Sequence, residues 1–93
     1  MKAIWNDTVI AQSDDTIVVE NNHYFPPDSL KKACFSDSDH TSWCSWKGEA
    51  HYYHIEAGGQ TNANAAWVYR NPKPEADRIR DYVAFWKGIE ITE

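Results

Sequence analysis

Two strand-like segments that flank the dipeptide Gly58-Gly59 constrain the fold more than any other feature of this sequence. EAHYYHIEA (49–57) precedes the two glycines, and NAAWVYR (64–70) follows them. Aromatic and β-branched residues favour strands, and adjacent glycines favour a turn. The sequence therefore predicts that the two segments form a β-hairpin.

Five further segments have the composition of short strands. DTVIAQS and DTIVVE are separated by Asp14-Asp15, which predicts a second hairpin. YVAFW and GIEIT are divided near Gly88, and KAIWN precedes them all in the chain. The expected protein is mainly β, with six or seven strands in small antiparallel sheets and one or two short helices.

Helices are predicted at two places. In PDSLKKACF (27–35), Asp28 or Ser29 can cap a helix, and Leu30 lies three residues before Ala33 on one face. In NPKPEADRIRDY (71–82), Pro74 suits a first helical position. ENNHYFPP (20–27) and SDSDHTS (36–42) are rich in turn-forming residues, and the sequence predicts that both interrupt regular structure.

Size and charge limit the classes of function. The 93 residues predict one domain, 1–93, whose many aromatic side chains supply the core. The net charge of −5 disfavours nucleic acid, since a phosphate-binding surface is basic. No apolar run approaches the ~20 residues of a membrane span, and the N-terminus does not resemble a signal peptide. We therefore expect a cytoplasmic protein with no membrane partner and with reduced cysteines.

The stretch CSWKGEAHYYHI (44–55) and the residues before it offer two candidate reactive sites. Zinc could use Cys34, His40, Cys44 and either His51 or His54, but their spacing is not that of a zinc motif, so we expect no metal or other cofactor. Cys44, with Lys47 three residues on, could be a nucleophile. A lone cysteine between tryptophans is more often a small buried apolar residue.

A small-ligand pocket is the favoured hypothesis. Strand alternation places Trp67 and Tyr69 on one face, and Tyr52 on one face of the preceding strand. Apolar walls with a few polar groups are the usual form of a ligand site. The predicted walls are Tyr24, Tyr52, Trp67 and Tyr69, and the predicted polar contacts are Thr41, Cys44 and Lys47. Trp46 is predicted to lie in the core.

Several segments together resemble a bacterial family of uncharacterised proteins, domain of unknown function 427. They are AIWNDTVIAQSDDTIVVE, HYFPPDSL, HTSWCSWKGEAHYY, NAAWVYRNPKPEADRI and YVAFWKG, in the family's order through nearly the whole chain. The resemblance implies a β-tent topology of small coiled sheets. The family also carries a nucleotidyltransferase label, but the chain has no Gly-Ser motif followed by paired aspartates that would hold magnesium.

Three hypotheses follow for the function. The first is a small-molecule-binding β protein that uses the aromatic pocket. The second is an enzyme with Cys44 or Lys47 as nucleophile or acid–base group, including nucleotidyl transfer. The third is a structural or protein-interaction module. The sequence identifies neither a ligand nor an oligomeric state.

Overall fold

A computed structural model describes residues 1–93, which form nine strands and three short 3₁₀ turns. The strands are β1 (Lys2–Trp5), β2 (Thr8–Gln12), β3 (Ile17–Val19), β4 (Asn22–Tyr24), β5 (Phe35–Cys44), β6 (Gly48–Ala57), β7 (Gln60–Val68), β8 (Val83–Phe85) and β9 (Glu90–Thr92). The 3₁₀ turns are Pro27–Ser29, Lys32–Cys34 and Pro74–Ile79. The prediction of a mainly β protein is confirmed.

The strands form three antiparallel sheets. Their orders are β2-β1-β9, β3-β4 and β5-β6-β7-β8. The predicted hairpin around Gly58-Gly59 is confirmed as β6 and β7, which pair from Ala57 and Gln60 to His51 and Val68. No helix in the chain is long and apolar enough to cross a membrane.

The four-stranded sheet carries a separate apolar cluster on each face. The first core contains Val68 and Val83 with residues of β1 and β2, and the second core contains Tyr69 and Ala84 with residues of β3 and β4. Successive side chains of an extended segment point to opposite faces, which explains why Val68 and Tyr69, like Val83 and Ala84, belong to different cores. Each core supports one of the two cavities described below.

The predicted hairpin of DTVIAQS and DTIVVE is wrong, although both segments contain strands. β2 pairs with β1 across the turn Asn6-Asp7, and β3 pairs with β4 across Glu20-Asn21. All four turn residues have positive φ, between 51° and 66°. Two consecutive residues with positive φ match the twist of a tight hairpin, and asparagine tolerates this conformation well. ENNHYFPP therefore holds a strand, β4, where a turn region was predicted.

The other differences concern short polar segments. SDSDHTS lies within β5, an edge strand whose side chains are mostly exposed, so turn-forming residues are tolerated there. PDSLKKACF contains two 3₁₀ turns rather than a helix, because Leu30 between them makes a bridge to Ala11. Pro74 does occupy the first turn of Pro74–Ile79, but that turn is 3₁₀ and kinked at Ala76.

Gly58 marks where the β1–β2 turn meets the β6–β7 turn. The Asn6 side-chain amide donates a hydrogen bond to the Ala57 carbonyl at 2.9 Å. A Cβ atom at Gly58 would lie 2.4 Å from the Asn6 amide nitrogen, and the φ of Gly58 is +58°. The left-handed backbone favours glycine here, and a larger residue would displace the Asn6 side chain that bonds Ala57.

Candidate ligand-binding site

A small open recess lies on the second-core face of the four-stranded sheet. It has a volume of about 190 Å³ and is lined by Lys47, Tyr52, Trp67, Tyr69 and Trp86. Tyr52 and Trp67 are cross-strand partners on β6 and β7, and Tyr69 follows Trp67 on the same face. We call this site the Lys47 recess.

The indole rings of the recess are held by hydrogen bonds and edge-to-face contacts. Trp67 donates from Nε1 to the hydroxyl of the fully buried Tyr24 at 3.2 Å. Trp86 donates from Nε1 to the Asn64 carbonyl at 2.6 Å. The Trp67 and Trp86 rings meet at 89°, with centroids 6.2 Å apart. Rings fixed in this way form a preorganised wall.

Lys47 is the one buried charged residue, with 6% of its surface exposed. Its ammonium group binds the Glu20 carboxylate and lies 5.6 Å from the centroid of the Tyr69 ring. Burial lowers the pKa of Lys47, but the hydrogen bond to Glu20 and the charges of nearby groups raise it by more, so the net pKa is above the usual 10.5. Lys47 is therefore a cation at neutral pH, which makes it a poor nucleophile.

The phenols around Lys47 remain protonated. Burial raises the pKa of Tyr69 to about 12, and burial likewise raises the pKa of Tyr24. At neutral pH, the recess thus contains one cation and neutral aromatic groups. A phenolic O–H can donate as well as accept a hydrogen bond.

The ion pair between Glu20 and Lys47 predicts an acid-sensitive contribution to stability. The hydrogen bond to Lys47 and its charge hold the pKa of Glu20 below the usual 4.5. A carboxyl group with a lowered pKa stabilises the folded state above its unfolded pKa, and this stabilisation is lost as pH falls through the folded value. Glu20→Gln should therefore lower the melting temperature at pH 7 and have no effect well below pH 4.5.

Thermal melting of the wild type and of Glu20→Gln, at pH 7 and at a pH well below 4.5, measures the contribution of the ion pair to stability. Glu56→Gln, at an exposed carboxylate of β6, is the matched control. A deficit for Glu20→Gln that is equal at both pH values would show that the ion pair does not stabilise the fold.

Most of the predicted pocket residues come together in the structure. Lys47, Tyr52, Trp67 and Tyr69 line the recess, and Tyr24 lies beneath it as a hydrogen-bond acceptor. Cys44, partly buried, packs against the second core rather than lining the recess.

Thr41, like Cys44, does not line the recess. Thr41 pairs with His51, so these two side chains lie on the same face of the sheet. His51 directly precedes Tyr52 in the strand, so that face is opposite to the one that carries Tyr52. Ser42 takes the expected place, with its Oγ 2.9 Å from the Tyr52 hydroxyl. An irregularity in the register of β5 between Asp37 and Thr41 decides which residues face the recess, and the sequence does not show it.

Two functional candidates were missed, and one prediction about burial is wrong. Trp86 lines the recess, and only the repeat of Trp-Lys-Gly at 46–48 and 86–88 singled it out in the sequence. Glu20 lies 27 residues from Lys47, and no sequence signal connects them. Trp46, predicted to lie in the core, is 36% exposed and packs near the Lys47 ammonium at 5.2 Å.

The candidate zinc ligands do not converge. No group of three His, Cys, Asp or Glu side chains is arranged to hold a metal ion. Cys34 is a free thiol buried in the first core, whereas Cys44 is associated with the second. His51 contacts Glu49 instead, with Nε2 3.1 Å from Oε1.

Comparison with protein families agrees with the resemblance noted in the sequence. The family model for a domain of unknown function, DUF427, matches residues 1–92. The chain belongs to this family. A search of curated proteins found no match for this DUF427 protein. The family's short label refers to nucleotidyl transfer, and its description assigns no function.

Proposed function

We propose that this DUF427 protein binds a small flat molecule with a negatively charged group in the Lys47 recess. The observation that carries the proposal is a buried ammonium group at an opening walled by fixed aromatic rings. The Glu20 carboxylate pairs with this ammonium group in the structure, and an anionic ligand at the opening can take the place of that carboxylate.

The dimensions of the recess limit the ligand. Sites for drug-sized ligands are about 300–1,000 Å³, and this recess has about 190 Å³. It suits one ring or a group of similar size, with the remainder of a larger molecule outside. Trp67 and Trp86 offer ring faces and edges against which a flat group can pack.

The charge of the recess favours an anion over a cation. Aromatic cages attract cations through the ring faces, but the Lys47 ammonium already lies near the Tyr69 ring. A second cation would be repelled by it. An oxygen anion would instead make the contact that the Glu20 carboxylate now makes, and the Glu20 side chain is 56% exposed.

Replacing Lys47 should weaken binding of such an anion. Benzoate is a suitable probe, because it combines one ring with one carboxylate, and benzamide is its neutral counterpart. We expect Lys47→Met to weaken benzoate binding at least about tenfold, since a charge-assisted hydrogen bond is lost. Glu20→Gln should strengthen binding, because the competing carboxylate is gone.

Titration followed by tryptophan fluorescence and by the indole N–H signals of Trp67 and Trp86 measures this binding. Lys31→Met, at an exposed lysine that does not line the recess, is the control. Thermal melting establishes that each variant is folded. Equal affinity of wild type and a folded Lys47→Met variant would refute the proposal.

The predictions of an enzyme and of an interaction module remain alternatives of different classes. A raised pKa for Lys47 counts against its use as a nucleophile. Native mass spectrometry of freshly purified protein would show a bound small molecule, a metal or a second subunit in one measurement.

A further inference from the structure

A second and larger cavity lies on the opposite face of the same sheet. Its volume is about 310 Å³, within the usual range for ligand sites. Its apolar lining includes Leu30, Phe35, Tyr53, Val68 and Val83. Val68 and Val83 are almost fully buried members of the first core, so the floor of the cavity is part of that core. We call this cavity the Arg70 cleft.

Arg70 is placed for recognition of an anion at the rim of the cleft. Its guanidinium carbon lies 5.5 Å from the centroid of the Tyr53 ring. Tyr53 is in turn held edge-to-face by Phe35, with centroids 5.6 Å apart. The guanidinium group has five N–H donors, and its contacts with Tyr53 and Asp37 leave others available to a ligand.

The Asp37 carboxylate engages only one arm of the guanidinium group. The contact is a single one, Nη2 of Arg70 to Oδ1 of Asp37 at 3.5 Å. The Asp37 side chain is 84% exposed, and exposed ion pairs contribute only about 0–1 kcal/mol. A planar carboxylate that met both arms of the guanidinium would bind more strongly than Asp37 does.

We propose that the Arg70 cleft is a second ligand site, for a small monocarboxylate with an apolar body. The carboxylate would pair with Arg70, and the body would lie on the apolar floor. Lys32 and Asp81 also line the cleft, so two cations and the carboxylates of Asp81 and Asp37 surround it. The sum of these charges is zero, which favours a monoanion over a phosphate dianion.

This site is independent of the proposed function of the Lys47 recess. Trp67 and Tyr69 point to the recess, and Val68 and Arg70 point to the cleft. The two sites share strand β7 and share no lining residue. A failure of one proposal therefore leaves the other intact.

Titration with 3-phenylpropanoate, followed by backbone amide and indole N–H signals, tests the proposal. We expect the largest shifts at Val68, Arg70 and Val83, and binding at least about tenfold weaker for the neutral 3-phenylpropanamide. Arg70→Gln should weaken carboxylate binding by a similar factor. Arg78→Gln, at an exposed arginine outside the cleft, should not.

Arg70→Lys separates the paired hydrogen bonds from charge alone, since lysine is a point charge without a planar fork. We expect it to lose most of the affinity. Wild-type affinity in either Arg70 variant would overturn the proposal. Shifts confined to the indole signals of the Lys47 recess, or no saturable binding, would also overturn it.

Discussion

Replacing Phe25 with alanine is expected to cost about 3–5 kcal/mol of the free energy of unfolding, the range for a fully buried phenylalanine. Phe25 has no exposed surface and meets the Phe85 ring edge-to-face, with centroids 5.5 Å apart. Its backbone also exchanges two hydrogen bonds with Val83, both 2.8 Å long. The chain there is held in place, so the structure can collapse only partly into the vacated space.

Urea unfolding measures this loss, because the free energy falls linearly with denaturant. Trp43→Ala is the matched control, since Trp43 is 68% exposed and contacts Lys73 through its ring. The free energy of unfolding of Trp43→Ala should fall by no more than about 1 kcal/mol, the value of an exposed cation–π contact. A Phe25→Ala loss as small as that of the control would show that the first core is not packed as described.

Replacing Ile79 with alanine is expected to lower the free energy of unfolding by about 2–5 kcal/mol, because it leaves a cavity in the second core. Ile79 is fully buried there, with Tyr24, Tyr69 and Ala84. It ends the 3₁₀ turn Pro74–Ile79 and so attaches that turn to the sheet. The exposed Val18 is the control, and Val18→Ala should change the free energy by less than about 0.5 kcal/mol.

The double variant Phe25→Ala/Ile79→Ala tests whether the two cores contribute independently to stability. Losses at sites without shared partners add to within about 0.5 kcal/mol. The two side chains lie in clusters on opposite faces of the four-stranded sheet, so we expect additive losses in urea unfolding. Marked non-additivity would mean that the sheet transmits packing changes from one core to the other.

The part of the fold predicted from sequence is the part where local signals and long-range pairing agree. The β6–β7 hairpin has strand-forming residues on both sides of two glycines, and its partners are adjacent in the chain. Strand alternation then places Trp67 and Tyr69 on one face without further information. Trp67 and Tyr69 could be grouped with Tyr52 of the preceding strand for this reason.

The rest could not be predicted because tertiary pairing overrode local preference. β2 and β3 are close in sequence, but each pairs with a different strand through turns of the same kind. The polar residues of β5 remain extended because β6 supplies hydrogen-bond partners along one side. Glu20 reaches Lys47 only after the β3–β4 hairpin docks onto the second core.

Strand β7 and the two residues after it provide walls for both cavities from alternating residues, and this limits how such a chain can diverge. Inserting or deleting one residue within Ala66–Arg70 would move every following side chain to the other face. Aromatic rings would then enter the Arg70 cleft, and the guanidinium group would enter the Lys47 recess. Length changes in this strand would damage both sites at once, so we expect descendants of this chain to vary here by substitution.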